Sequence, residues 1–345
     1  MNITIADTVD SGQLRDLCSG ADKVIVFTDS NVSPIIPNFL DIEELPVIVT
    51  PAGEEHKDLA ALASLWRALQ TNGATRSSIL INVGGGMVTD LGGFGAATFR
   101  RGIQFINIST TLLGSVDASV GGKTAIDFDS LKNQVGAFAE PLHTFILTAA
   151  LRTLPDSEML SGYAEMVKTG YIHSPELTGR MLALRDRLRD STRLNPLILA
   201  SLETKKSITD RDPHEKGLRK ILNFGHTAGH AFEMLRLRAG RPVPHGIAVA
   251  HGMLTAIILS HTCLGLPSKE IYRYADFLKS TFPPLRFTCD DYPQLLAAIA
   301  SDKKNRAGAP ARFTLLRAVG EALPDGPVPN DEITAALDIH RDLTE

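Results

Sequence analysis

The stretch SILINVGGGMVTDLGGF, residues 78–94, reads as a β-strand, a glycine turn and the start of a helix. Within Ser78–Val83 the run Ile79–Val83 is apolar apart from Asn82, the texture of a strand buried on both faces of a parallel sheet. Gly84-Gly85-Gly86 ends the run, and the helix that follows would offer free N–H groups and the positive end of its dipole. The pattern is not G-x-G-x-x-G, so it is no dinucleotide fingerprint by itself. Two readings of the glycines stand side by side: a tight turn that requires positive φ, or a cradle where backbone approaches a phosphate. Asp90, one helical turn on, is either an acceptor for a ribose hydroxyl or a first-turn carboxylate favoured by the helix dipole.

Outward from this stretch the same texture repeats. Lys23–Thr28, Val47–Thr50, Gln104–Ile108 and Thr144–Thr148 read as further strands, and Leu59–Leu69 has apolar residues at helical spacing. Alternating strands and helices predict a parallel sheet covered on both faces. Asp29-Ser30-Asn31 follows the first of these strands, where the ligand-facing loops of such a sheet lie. Gly53-Glu54 with Lys57 follows the second, as part of a nucleotide site or as a solvated helix start. After about Leu154-Pro155 strand-like runs nearly vanish. Helical periodicity dominates from Glu158 to Ala300, with breaks at Asn195-Pro196, Asp212-Pro213 and Arg241–Pro244, and Arg312–Leu316 reads as a late strand or hairpin. The fold class is therefore α/β: a Rossmann-like parallel-sheet domain over residues 1–154 and a mostly α-helical domain over 155–345. A cleft between two such domains is a usual place for a ligand.

The 345 residues suit two domains at roughly 150 each. With 43% hydrophobic and 21% charged residues the chain is ordinary globular material. Its net charge, 35 − 39 = −4, gives no general pull toward nucleic acid or anionic membrane. Cys18, Cys263 and Cys289 are too scattered for a disulfide framework or a cysteine-based zinc site. The opening MNITIADTVD lacks the layout of a signal peptide, and no stretch approaches about 18 uninterrupted apolar residues. A reducing cytoplasm is the expected location.

Three histidines and one glutamate form the next constellation. His226 and His230 stand at i, i+4 on one helix face, and His245 follows in Pro244-His245-Gly246. Glu165 and Lys168 stand at i, i+3 in SGYAEMVK, residues 161–168. Two or three imidazoles plus a carboxylate make up a catalytic zinc site, although a structural histidine pair has the same spacing. The spacing does not decide which of His226 and His230 is the ligand. Basic residues punctuate small or apolar stretches: Arg100-Arg101, Lys123, Lys132-Asn133, Lys205, Arg219 and Lys303-Lys304. Lys123 lies in the small-residue run Asp117–Thr124, and it and Arg219 are the best candidates for a phosphate or carboxylate.

Together the segments GGGMVTDLGGF, FRRGIQFINISTTLLGSVDASVGGKTA, LKNQVGAF, SGYAEMVKTG, GLRKILNFGHTAGHAFE, PHGIAVAHGM and DKKN resemble the 3-dehydroquinate synthase family of the sugar phosphate cyclase superfamily. The resemblance runs from about Asp29 to Leu316. It implies bound NAD, one divalent metal (zinc or cobalt) and a homodimer. The reaction it implies is conversion of 3-deoxy-D-arabino-heptulosonate 7-phosphate to 3-dehydroquinate and phosphate, a lyase step of the shikimate route to aromatic amino acids. The implied metal ligands are Glu165, His226 and His245, with His230 the nearby proton-handling histidine. The implied substrate-site positions are Asp117, Lys123, Lys132, Asn133, Lys168, Lys205, Arg219 and Asn223, with Lys303 or Lys304 as a late lysine. Arg101 matches an arginine that the family donates across the dimer interface. The implied NAD contacts are Asp29, Asn31, Glu54, Lys57, Gly85, Gly86, Asp90, Thr110, Thr111 and Thr153. One departure stands out: many members carry N-H-P-x-G between the two lysines, where this chain reads Asp127–Leu131, DFDSL. Other activities to weigh are valiolone-type cyclisation of sedoheptulose 7-phosphate, a metal-dependent polyol dehydrogenase and a non-catalytic NAD-binding protein. Asn223, His230 and the late lysines favour the first family over the valiolone-type cyclases.

Overall fold

The computed structural model describes residues 2–41, 45–118, 121–129, 131–301 and 310–345, which fall into two compact units, Met1–Pro155 and Asp156–Glu345.

The first unit is built on a six-stranded sheet. Its strands are β1 (Ile3–Ala6), β2 (Val24–Asp29), β3 (Val47–Thr50), β4 (Ile79–Gly84), β5 (Gln104–Ser109) and β8 (Thr144–Leu147). They lie in the order β1-β8-β5-β4-β2-β3 and every pairing is parallel. The helices are α1 (Ser11–Cys18), α2 (Leu59–Thr71), α3 (Gly86–Thr98) and the single turn α4 (Thr148–Leu151). Asp10 and Asp58 start α1 and α2 by accepting the backbone N–H of Gln13 and Ala61. Successive strand residues feed opposite faces. Ile25, Phe27 and Leu80 pack with Leu62, Leu65, Val88 and Leu91 of α2 and α3. Val26, Ile79, Ile81 and Val83 pack on the other side with Leu14 and Ile36. The expected double-sided burial is therefore present. β2 and β4 flank the point where the strand order reverses, the place where ligands settle in open parallel sheets.

Among the strands of this unit, β1 and one hairpin have no counterpart in the sequence reading. β1 is a short edge strand without an apolar run. The antiparallel hairpin of β6 (Lys123–Phe128) and β7 (Leu131–Phe138) carries exposed Lys, Asn and Gln residues that hide its strand period. The strand read as Thr144–Thr148 stops at Leu147, because Thr148 opens α4.

The second unit holds α5 (Asp156–His173), α6 (Pro175–Leu182), α7 (Ser191–Arg211), α8 (His226–Arg238), α9 (His245–Leu264), α10 (Lys269–Thr281), α11 (Tyr292–Ala300) and α12 (Asn330–Thr344). A hairpin of β9 (Ala311–Ala318) and β10 (Glu321–Val328) completes it, in line with the late strand read from Arg312–Leu316. The break expected at Asn195-Pro196 does not occur: α7 runs through Pro196. The proline falls early in the helix, where it removes one hydrogen bond, and Leu194, Leu197, Ile198 and Leu202 around it are buried.

Helix α9 is long and apolar enough to cross a bilayer, yet 78% of its apolar window is buried in this unit, as befits a core helix. It is approached to backbone contact from two sides. A Cβ on Gly252 would lie 2.1 Å from the Gly225 oxygen and 2.5 Å from the Gly229 nitrogen, at the crossing with α8. A Cβ on Gly246 would lie 1.9 Å from the Ser161 oxygen of α5. Gly252→Ala should therefore force α8 and α9 apart and cost about 3 kcal/mol of stability, read as a lowered urea midpoint. A wild-type midpoint would show that the crossing tolerates a methyl group.

Two buried histidines link α9 to α12. His251 and His340 stack with ring centroids 5.6 Å apart, His251 reaches the Pro283 oxygen at 3.0 Å, and His340 reaches Thr255 Oγ1 at 2.9 Å. Burial pushes His251 down to about 4, with the Pro283 carbonyl partly opposing, and burial followed by the neighbouring His251 holds His340 well below its usual value. The unfolded chain takes up protons near pH 6.5 that the folded chain refuses. Stability is thus full above that pH and falls as the pH drops. From pH 7 to 5 the expected loss is about 2 kcal/mol from His251, with a further loss from His340. Urea midpoints at the two pH values, both with chelator so that metal release does not contribute, check this. Equal midpoints would contradict it.

Candidate metal and cofactor sites

In the first unit the predicted cofactor residues gather at the carboxyl ends of the parallel strands. Asp29 closes β2, is buried, and accepts the N–H groups of Asn31 and Val32 at 2.8 and 3.0 Å. The glycine turn closes β4. Neither Gly84, Gly85 nor Gly86 has positive φ, which removes the tight-turn reading. What they need is space: a Cβ on Gly84 would meet Val88 at 2.6 Å, and one on Gly85 would meet Thr111 at 2.8 Å. Gly85 caps α3 without a side chain, which leaves its first N–H groups for a ligand. Thr110 follows β5; its N–H donates to Gly84 and its buried hydroxyl has no hydrogen-bond partner among the described residues. The Thr111 hydroxyl accepts from the Gly114 N–H at 3.0 Å. Thr153 is exposed beyond α4, its hydroxyl donating to the Ala150 oxygen at 2.7 Å.

Lys57 is not a solvated helix start. It is buried and pairs with Asp90 Oδ2 at 2.6 Å and Glu54 Oε1 at 3.2 Å. Burial alone would lower its pKa, but the Asp90 and Glu54 charges outweigh this and hold it above the usual lysine value. Asp90 lies past the first turn of α3, and its carboxylate serves Lys57 rather than the helix dipole. Asp117 sits in a π-helical turn, Gly114–Ala118. Lys123, Lys132, Asn133 and Arg101 are exposed, and Arg101 and Asn133 have φ of 70° and 53°.

In the second unit Glu165, His226 and His245 converge, one ligand atom from each lying within 4.8 Å of the others. Glu165 is 1% exposed, with its carboxylate buried among the two imidazoles and the Lys168 ammonium. His226 Nε2 lies 3.5 Å and His245 Nε2 3.7 Å from Glu165 Oε1. The opposite ring nitrogens are engaged: His226 Nδ1 with the Phe224 oxygen at 3.2 Å, His245 Nδ1 with Glu233 Oε2 at 3.1 Å. A proton on each Nδ1 leaves both Nε2 lone pairs facing the carboxylate, the donor set of a divalent metal with one open position. His230 stands beside the trio, its ring centroid 5.5 Å from that of His226 and 5.7 Å from that of His245. Among the described residues the converging set contains His226 and not His230. Lys168 forms an ion pair with Glu165 Oε2.

Lys205 on α7 and Arg219 are buried, against the expectation for ordinary surface cations. Arg219 belongs to a 3-10 turn, Leu218–Asn223, whose start is pinned by Asp212; the N–H groups of Gly217, Arg219 and Lys216 hold that carboxylate below its usual range. Asn223 donates to Glu215 Oε1 at 3.0 Å. Lys303 and Lys304 lie outside the described residues. The sequence reading missed Glu233 and Glu215. Glu233 was findable at i+7 from His226 on the same helix, whereas Glu215 becomes relevant only through the fold.

The family descriptions 3-dehydroquinate synthase N-terminal and C-terminal match residues 47–161 and 162–305. A 3-dehydroquinate synthase of Parabacteroides distasonis is 43% identical over 336 residues, covering 96% of this chain and 95% of the relative. The chain belongs to the 3-dehydroquinate synthase family. Solved structures share the fold of this family member. A 2-epi-5-epi-valiolone synthase of Streptomyces hygroscopicus, with NAD+ and Zn2+ bound, superimposes with TM-score 0.86 at 24% identity over 99% of this chain and 96% of that one. A 2-deoxy-scyllo-inosose synthase, complexed with carbaglucose-6-phosphate, NAD+ and Co2+, gives 0.85 at 23% with the same coverage.

Glu233→Ala is expected to leave the fold intact and weaken zinc or cobalt binding about 10- to 100-fold by freeing the His245 ring. Competition with a metallochromic chelator measures it. Unchanged affinity would show that Glu233 does not orient His245.

Proposed function

We propose that the protein is a phosphate-eliminating lyase that converts 3-deoxy-D-arabino-heptulosonate 7-phosphate to 3-dehydroquinate and phosphate, in the cytoplasm and as a homodimer. Family membership supports the activity, and the observation that carries the chemistry is the convergence of Glu165, His226 and His245 around a buried carboxylate. We read that trio as the metal ligands. The glycine turn at α3, with Asp29, Asn31, Glu54, Lys57, Asp90, Thr110, Thr111 and Thr153, is read as the NAD site. When bound, NAD would accept and return one hydride, and the metal would polarise the hydroxyl being oxidised.

The chain's own residues do the remainder. His230, a ring's breadth from the trio, takes and returns the hydroxyl proton. Lys168 pairs with Glu165 Oε2, and the two imidazole Nε2 atoms lie beside Oε1. Lys123, Lys132, Asn133, Lys168, Lys205, Arg219, Asn223 and the late lysine are read as binding the anionic groups of the substrate, and Asp117 as a further substrate-site residue. Buried Lys205 and Arg219 have lost most of their mobility before substrate arrives, which lowers the entropic cost of holding a dianion. Arg101, exposed and left-handed at the end of α3, is read as the arginine donated to the partner subunit's phosphate site.

The test offers metal-loaded protein with trace NAD the deoxyheptulosonate phosphate and sedoheptulose 7-phosphate in parallel. Phosphate should be released from the first alone, without accumulating NADH. Release from the second alone would move the activity to a valiolone-type cyclase, and net NADH without phosphate to a polyol dehydrogenase. His245→Ala should lose both stoichiometric metal and turnover; retained metal would overturn the ligand assignment.

A further inference from the structure

The hairpin β6–β7 contains one irregularity. Its pairing runs from Lys123 opposite Phe138 to Ile126 opposite Val135 and resumes at Phe128 opposite Leu131, so Asp127 alone faces residues 132–134. Such a bulge re-aims side chains and is frequent beside active sites. Here it carries Lys132 and Asn133. Asn133 has φ of 53°, a left-handed conformation that a non-glycine residue holds only where its surroundings enforce it. The enforcement comes from Asp127: its Oδ1 accepts the Asn133 N–H at 2.7 Å.

Asp127 is in turn fixed from the opposite side. Its backbone N–H donates to the Lys57 oxygen at 2.7 Å, and the Lys57 ammonium is locked by Asp90 and Glu54. Burial raises the Asp127 pKa, while the Asn133 N–H and the charges of Lys57 and Lys132 pull it back, which places the carboxylate in the field of both cations. The base of the hairpin is seated on α3, where a Cβ on Gly93 would meet Thr124 at 2.5 Å. A chain of contacts therefore runs from Asp90 on α3 through Lys57 and Asp127 to Asn133. It uses the segment in which this chain departs from N-H-P-x-G.

We propose that Asp127 is a positioning residue: its carboxylate sets the left-handed turn that presents Lys132 and Asn133 to the substrate, and its backbone anchors that turn to the Lys57–Asp90 pair. The inference rests on the assignment of Lys132 and Asn133 to the substrate made above. A role in folding alone would disturb every ligand equally, whereas a positioning role acts on the substrate side.

The test compares the wild type with Asp127→Ala and Asp127→Asn, all as metal- and NAD-loaded protein. Asp127→Ala should raise KM for the deoxyheptulosonate phosphate about tenfold, the loss of one charge-assisted hydrogen bond, with NAD affinity changed less than about twofold. Asp127→Asn keeps an accepting oxygen and should return KM to within about threefold of the wild type. Hydrogen–deuterium exchange of a peptide spanning residues 131–136, without substrate, should quicken about tenfold in Asp127→Ala alone. Unchanged KM and exchange in Asp127→Ala would overturn the proposal. So would a joint loss of thermal stability, NAD affinity and KM in both variants. If the wild type releases no phosphate, the functional reading fails, and the exchange comparison still decides whether Asp127 sets the turn.

Discussion

The second unit depends on a steric constraint: three helix backbones touch with no side chain between them. Gly252 of α9 lies against Gly225 and Gly229 of α8, and Gly246 lies against Ser161 of α5, whose hydroxyl oxygen accepts the Gly246 N–H at 3.0 Å. Each candidate metal ligand is next to one of these contacts. His226 follows Gly225, His245 precedes Gly246, and Glu165 is one helical turn beyond Ser161. The positions of the three donor atoms are thus set by backbone packing, which is stiffer than side-chain packing. Gly225 adds a second requirement, because its φ of 79° turns the chain into α8 and points His226 inward.

Around that frame the polar groups are held in place by partners of their own. Glu233 and the Phe224 carbonyl fix the two imidazoles, and Lys168 stands against Glu165. Burying Glu165 would be costly for an isolated carboxylate, and the Lys168 ammonium offsets this. The same economy of placement is visible in the first unit. Lys57 is charged and buried because Asp90 and Glu54 surround it, and the ends of β2, β4 and β5 converge where the strand order reverses.

Much of this was legible in the chain. The apolar runs predicted a parallel sheet covered on both faces, and the change of texture near Pro155 coincides with the division into two compact units. The resemblance to the 3-dehydroquinate synthases agrees with the family match. The elements that escaped, β1 and the hairpin β6–β7, are a short edge and an exposed pair, whose pattern is dominated by solvent-facing residues. Pro196 misled in the opposite direction, since the burial of its neighbours outweighs one missing hydrogen bond.

By itself the sequence determined the periodicities, the glycines and the inventory of donors, because these depend on residue type and spacing within one element. Spacing within α8 left His226 and His230 equivalent, since both lie on one face; only the tertiary structure brings His226 together with Glu165 and His245 from other helices. Only it revealed that Gly84 and Gly85 are required by the space beside Val88 and Thr111 and not by positive φ. Only it joined Asp127 to Lys57 across 70 positions of chain, 127 − 57. Contacts between distant segments leave no periodic signal, so they become visible only once the core has brought those segments together.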